Sequence, residues 1–256
     1  MVGILTYCFC MYLIGGLGAS LGYHRLLTHK SAETAKWFEY IFVLFGLPAG
    51  TPIQWAGNHR AHHQHTDQPG DPHSPHTDGF WYAHCGWYIR SNNWRLCLLY
   101  ALAGPVRMII DSFMRPRTNQ ENAHLAKDIQ ANKFYAFLSR PIVFMFCLWI
   151  YLIIILGGAF FLFGLNGIIA ASITLVIIYN IGDAVDSFGH LFGEKSGNNE
   201  ARNNKVLGIL AFGDGWHSNH HLKPKRAQHG IKNSQLDISY LVLRIGKLIG
   251  IVKKIY

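Results

Sequence analysis

The chain has 256 residues, half of them hydrophobic and only 14% charged, with a net charge of +9. That length suits one sizeable domain. The basic balance suits an anionic membrane surface and an acidic partner protein, and nothing in it calls for nucleic acid.

In chain order, residues 1–22 carry no charge and run straight into His24 without a basic leader, so they read as a span and not as a signal peptide. Residues 40–55 are apolar but number only about 16, and Gly46, Pro48, Gly50 and Pro52 interrupt them. A segment so short and broken is expected to be re-entrant or embedded. Ile142–Gly182 is again uncharged. It has room for two spans of roughly 20 residues each, near 142–162 and 167–183, with LFGLNG (162–167) as the break. All 23 Lys and Arg lie in 25–140 or 195–254, which places both segments on the cytoplasmic side. The expected architecture is an all-α integral membrane protein of one domain, residues 1–256. It has three or four transmembrane helices, an embedded segment, and a cytosolic helical cap built from 56–140 and 184–256.

Residues 94–110 and 238–256 mix apolar residues with Arg or Lys. In the second, Arg244, Lys247 and Lys254 are expected on one face of a helix lying in the interface. Trp81, Trp87 and Trp94 fit an interfacial aromatic belt. The cysteines (Cys8, Cys10, Cys85, Cys97, Cys147) form no CxxC pair and read as free, apolar thiols.

Histidine is the unusual residue, with fifteen copies. His59, His62 and His63 fall at i, i+3 and i+4, one face of a helix. WHSNHH repeats that spacing as His217, His220 and His221. His24 and His29, at i and i+5, stand about 140° apart on an ideal helix, so the helix end must bend for both to serve one metal. Imidazole suits iron, copper, zinc and nickel alike. These eight rings exceed the four ligands of a tetrahedral site, so two metals are expected. Topology brings the clusters together: the first follows a span, the second a segment that does not cross, and the third a hairpin of two spans. All three therefore emerge on one face of the membrane.

The ordered set HRLLTH (24–29), HRAHH (59–63) and GDGWHSNHH (213–221) resembles the three histidine boxes of the membrane fatty acid desaturases, in the stearoyl-CoA-like delta-9 branch. TDQPGDPHSP after the second box, GFWYAHCGW (79–87) and DSFGHLFG (186–193) extend the likeness. The resemblance implies a ninth ligand, His190, and two irons. One would be held by His24, His29, His59, His63 and His220, the other by His62, His190, His217 and His221. Asp186 stands where animal members carry an Asn that reaches the metal through water. Asp214 for Glu, Ser218 for Asn and Gln54 for Glu are further departures. The chain begins where the family normally has a preceding helix, so residue 1 is expected to be a truncated or unusual start. His65, His73, His76, His84, His124 and His229 fall outside the matched positions and read as structural.

The resemblance further implies an O₂-dependent oxidoreductase that inserts a cis double bond, at delta-9, into a saturated acyl chain carried by CoA or by a lipid. An unactivated methylene offers no acidic proton, so the metal must carry the hard step while the protein orients the chain. Asp67, Asp71 and Asp214 are candidates to fix the ring tautomers from behind, although Asp71 before Pro72 also fits a plain turn. Residues 1–22, the 81–88 stretch and the pair Gln54 and Trp55 are candidate walls of the acyl tunnel. With no haem domain and no iron–sulfur cysteine pattern, electrons are expected from a separate donor such as cytochrome b5 or ferredoxin with its reductase. The expected location is a bacterial inner membrane, or the endoplasmic reticulum membrane in a eukaryote, with the site on the cytoplasmic side. A related di-iron hydroxylase or ketolase shares the chemistry. A non-enzymatic metal-binding membrane protein should instead place its histidines inside the spans.

Overall fold

The computed structural model describes all residues, Met1–Tyr256. The chain opens with α1 (Val2–Leu17), which continues without a break as a π-helix over Gly18–Thr28. A Cβ on Gly18 would meet the Phe45 carbonyl carbon at 2.3 Å, and one on Gly22 the Phe42 carbonyl oxygen at 2.3 Å. Small residues one turn apart thus let the second helix, α2 (Lys36–Gly46), lie directly on the backbone of the first.

After α2 the chain makes one 3₁₀ turn (Leu47–Ala49) and passes Gly50, whose φ of 136° excludes most side chains. It then enters α3 (Pro52–His65), whose N-terminus is capped by Thr51 and begins with Pro52. Within residues 40–55 the Gly- and Pro-bearing stretch 47–51 therefore separates two helices.

Two helical runs, Val2–Thr28 and Pro141–Leu191, are long and apolar enough to cross a membrane. The pair α4 (Trp94–Ala101) and α5 (Pro105–Met114), bent by 113° at Gly104, would make a third if counted as one. The run Pro141–Leu191 has 51 residues. As a straight rod it would be about 77 Å long, against a hydrocarbon layer of about 30 Å. It is not straight. It comprises α6 (Pro141–Leu152), one π turn (Ile153–Gly157) and α7 (Gly158–Asp186), and Gly164 inside α7 has φ 62°. A Cβ on Gly167 would stand 2.2 Å from the Ala159 carbonyl oxygen, whereas eight residues of straight helix would separate them by about 12 Å. The chain folds back at the LFGLNG break.

The largest core joins α1, α2 and α5–α7 through Met11, Val43, Met108, Phe144, Leu148 and Leu175. The outward faces are apolar too: Phe161 is 86% exposed and Ile153 69%. Such faces need lipid, and between lipid-facing helices it is close packing that holds the bundle.

Two expectations fail in the C-terminal part. The protein is mostly helical but not all-α, because β1 (Ala32–Thr34) pairs antiparallel with β2 (Val252–Ile255), Glu33 opposite Lys254. Lys254 therefore cannot share a helix face with Arg244 and Lys247. Those two lie on α9 (Ile238–Leu248), the last helix, which follows α8 (His217–Leu222), and the chain turns at Gly250 before the strand.

Candidate metal centre

Box one ends the first helix, box two lies in the last turns of α3, and box three forms α8. The π-helix resolves the angular problem of His24 and His29. With i→i+5 bonding, closed here by the His29 amide on the His24 carbonyl at 3.1 Å, residues five apart stack one turn above each other. His190 arrives on a short helix, Phe188–Leu191, just after α7.

Nine imidazoles converge into two cages. His24, His29, His59, His63 and His220 form one, and His62, His190, His217 and His221 the other, with donor atoms in each within 4.8 Å of one another. In the first, Nε2–Nε2 separations are 2.9 Å (His24–His220), 3.0 Å (His29–His59) and 3.1 Å (His59–His63). In the second they are 3.0 Å (His190–His217), 3.1 Å (His217–His221) and 3.2 Å (His62–His221). The cages adjoin where His63 and His221 stack, ring centroids 4.4 Å apart.

Carboxylates stand behind the rings. His190 Nδ1 donates to Asp67 at 2.7 Å, His62 Nδ1 to Asp71 at 2.9 Å, and His24 Nδ1 lies 3.1 Å from Asp214. The proton is thus held on Nδ1 and the Nε2 lone pair faces inward. Lone pairs about 3 Å apart repel unless a cation lies between them. Right-angle neighbours on a metal with bonds of about 2.1 Å also stand about 3 Å apart. The donor set fits two metal ions, and an all-imidazole shell suits iron, copper, zinc or nickel.

Burial, helped by the neighbouring rings, holds His59, His63, His220 and His221 well below the ordinary histidine range, so these rings are neutral at pH 7. Burial alone would raise Asp71 and Asp214. The His62 contact overrides it for Asp71, and His24 with Arg25 overrides it for Asp214, leaving both carboxyls below the usual range. Asp71 also accepts the backbone amides of Asp67 and His73, so its turn role and its ring role coexist.

An apolar cavity of about 460 Å³ reaches the cages, where His24, His59 and His217 form part of its wall. Residues of the first helix and its π-helical continuation, such as Met11, Gly15 and Ala19, line it, as do Tyr88 and Trp55, which stacks on His59 at 4.8 Å. Asp186 lines it as well but belongs to neither cage. Gln54 does not line it: this side chain is buried and donates to the Thr118 carbonyl at 2.9 Å, because it points away from Trp55 around α3. Trp87 is not part of an interfacial belt either, being buried against His73 at 4.9 Å.

Sequence reasoning missed Arg25. Fully buried, it donates to Asp214 at 2.6 Å, to Asp237 at 3.1 Å and to His229 Nδ1 at 2.9 Å, fixing the acid that fixes His24. A cation at the end of an uncharged run was the available signal. His73, stacked on His62 at 4.6 Å, was also assigned no part in the site.

The family model for fatty acid desaturases matches residues 2–233, and the chain belongs to that family. It is an oxidoreductase acting on fatty acyl chains. It is 33% identical to delta-9 acyl-lipid desaturase 1 of Arabidopsis thaliana, over 96% of this chain and 73% of that protein. It is 32% identical to the sn-1 stearoyl-lipid 9-desaturase of Anabaena variabilis, over 99% and 82%. Against the acyl-CoA C20 delta5-desaturase of Anemone leveillei it is 32% identical, over 97% and 72%.

Proposed function

We propose that the chain is a delta-9 desaturase of acyl chains carried by membrane lipids, using two irons and O₂ with electrons from a separate donor protein. The observation that carries this reading is the pair of adjoining imidazole cages opening on an apolar cavity. The lipid-linked substrate is supported by the names of the Arabidopsis and Anabaena relatives. A hydroxylase or ketolase outcome is not favoured by any relative named here.

His24, His29, His59, His63 and His220 would hold one iron, and His62, His190, His217 and His221 the other. Bound iron supplies the one-electron and O₂ chemistry that side chains lack. Asp67, Asp71 and Asp214 keep the Nδ1 protons in place, so each ring presents the same nitrogen throughout turnover. The cavity wall, including Trp55 beside His59, excludes water and holds a straight acyl chain with one segment against the cages. Asp186, on the cavity wall, is proposed to reach the second metal through water. The uncharged spans and the basic segments 25–140 and 195–254 support three crossings, with the cages on the cytoplasmic face. The Trp of GDGWHSNHH (213–221) supports a bacterial inner membrane, with the endoplasmic reticulum membrane as the counterpart in a eukaryote.

Expression in a host without desaturases, followed by double-bond location in its lipids, tests the reading. A new delta-9 alkene in glycerolipids, abolished by His62→Ala or His220→Ala, is expected. A hydroxylated lipid without an alkene overturns it.

A further inference from the structure

A second site lies away from the metals, on the cytoplasmic rim. Arg226, Gln228, Tyr240, Arg244 and Lys247 line a groove of about 370 Å³ beside Tyr256 at the end of β2. A shallower depression adjoins it, sharing Arg226 and adding Lys223 and Lys225. Some surface cations, such as Lys30, Arg60, Lys195 and Lys232, are paired with carboxylates and others, such as Arg117 and Lys205, stand singly, but here five cations with no ion pair lie together around one depression. Glu33, on the neighbouring strand, is already taken by the Tyr256 hydroxyl. Crowding unpaired cations around one groove is costly unless an anion joins them.

The rim says where that anion comes from. α9 buries Leu243 in a small core with Leu21 of the first helix and Phe38 of α2, which sets it at the level where those helices leave the apolar zone. Its other face carries Ile245, 59% exposed, and Leu248, 86% exposed, followed by Ile249. An amphipathic helix with bare aliphatic side chains beside Arg244 and Lys247 fits a bilayer surface. A water-facing protein contact would not leave that edge apolar.

We propose that this groove binds the phosphate of an anionic membrane phospholipid, with Arg226, Arg244 and Lys247 as its ligands and the Ile245–Ile249 edge dipping among the acyl chains. It orients the cap against the membrane independently of the metal centre.

The test uses the full chain in a neutral detergent, given phosphatidylglycerol or phosphatidylcholine and read by native mass spectrometry. The protein should retain phosphatidylglycerol at least about tenfold better than phosphatidylcholine. The triple variant Arg226→Gln, Arg244→Gln, Lys247→Gln should lose that preference, whereas Lys232→Gln, outside the groove, should keep it. Equal retention of the two lipids, or an unchanged triple variant, overturns the proposal. So does displacement of phosphatidylglycerol by millimolar inorganic phosphate, which would mark a free-anion site. A triple variant that keeps its lipid but needs far more of an acidic electron-donor protein for half-maximal reduction also overturns it, assigning the groove to the donor. Should the triple variant unfold, the exposed Arg244→Gln alone must show about a fivefold loss; no loss refutes the site.

Discussion

Asp67 Oδ2 accepts a hydrogen bond from His190 Nδ1 at 2.7 Å across a sequence separation of 123 residues. Asp67 sits just past the end of α3 with φ 57°, a left-handed conformation that costs energy for a residue with a side chain. Ser74 Oγ holds its other oxygen at 2.6 Å. The strain is maintained because it aims a carboxylate at a ring that must keep its Nε2 lone pair free. Asp67→Asn removes the charge and lets the amide turn its donor end toward Nδ1, favouring the wrong tautomer. Iron retained after dialysis, measured by elemental analysis, should fall roughly 10- to 100-fold in apparent affinity with the helical circular dichroism unchanged. Full iron content would show that the acid does not set the tautomer.

Arg107 and Asp183 form a buried charge pair away from the cages. Their bonds are 2.5 and 3.0 Å, and the guanidinium lies over the Tyr100 and Tyr179 rings. Arg107→Met strands the carboxylate, and the cost should be about 3–5 kcal/mol. Arg107→Met with Asp183→Leu removes both charges and should cost clearly less than the two single changes added together. Thermal unfolding in detergent measures the cycle, and simple additivity would mean the pair does not interact.

The parts read correctly from sequence were those encoded in local spacing. HxxHH fixes a helix face, an uncharged run fixes an apolar helix, and Gly and Pro in 40–55 and 162–167 mark breaks in the helices. What escaped depends on contacts between distant segments. The π geometry that aligns His24 with His29 accompanies the packing of Gly18 and Gly22 on α2, which no local pattern announces. The i, i+5 spacing told only that something had to bend. Likewise, 94–110 read only as a mixture of apolar and basic residues, yet Arg107 is completely buried because its partner, Asp183, arrives from α7. Gln54 precedes a tunnel residue in sequence but sits around the helix from it, an angular fact that counting residues from box two did not use.

Asp128 is a clamp outside the membrane segments. It takes Arg60 Nη1 at 2.5 Å and Lys30 Nζ at 2.5 Å, tying the residue after box one to the helix of box two. Burial would raise its pKa, but the hydrogen bonds from Arg60 and Lys30 outweigh it and the carboxyl lies below its usual range. A carboxylate lowered in the folded state contributes stability that is complete above its unfolded pKa of about 3.9 and is lost as pH falls through the folded value. Asp128→Asn should therefore cost no more than about 1 kcal/mol at pH 7, since the pair is partly exposed and screened. The difference from the unmodified protein should shrink in unfolding curves below about pH 4 and in high salt. A gap that widens on acidification would contradict this sign.

Ala19 offers the sharpest separation of the cavity from the metals. It lies five residues before His24 in the π-helix, hence one turn below that ring, and both line the cavity. Adding a branched side chain there fills space next to the first cage without touching any nitrogen donor. Ala19→Leu should lower desaturation of a full-length acyl chain at least about tenfold, through loss of positioning. Iron content and thermal stability should stay near those of the unmodified protein. Ala19→Ser, of nearly equal size, should keep most of the activity. If Ala19→Leu turned over normally, the acyl chain would have to reach the cages by some path other than this π-helical wall. If it lost iron instead, the cavity and the cage would be one structural unit, and the division of labour drawn from their geometry would fail.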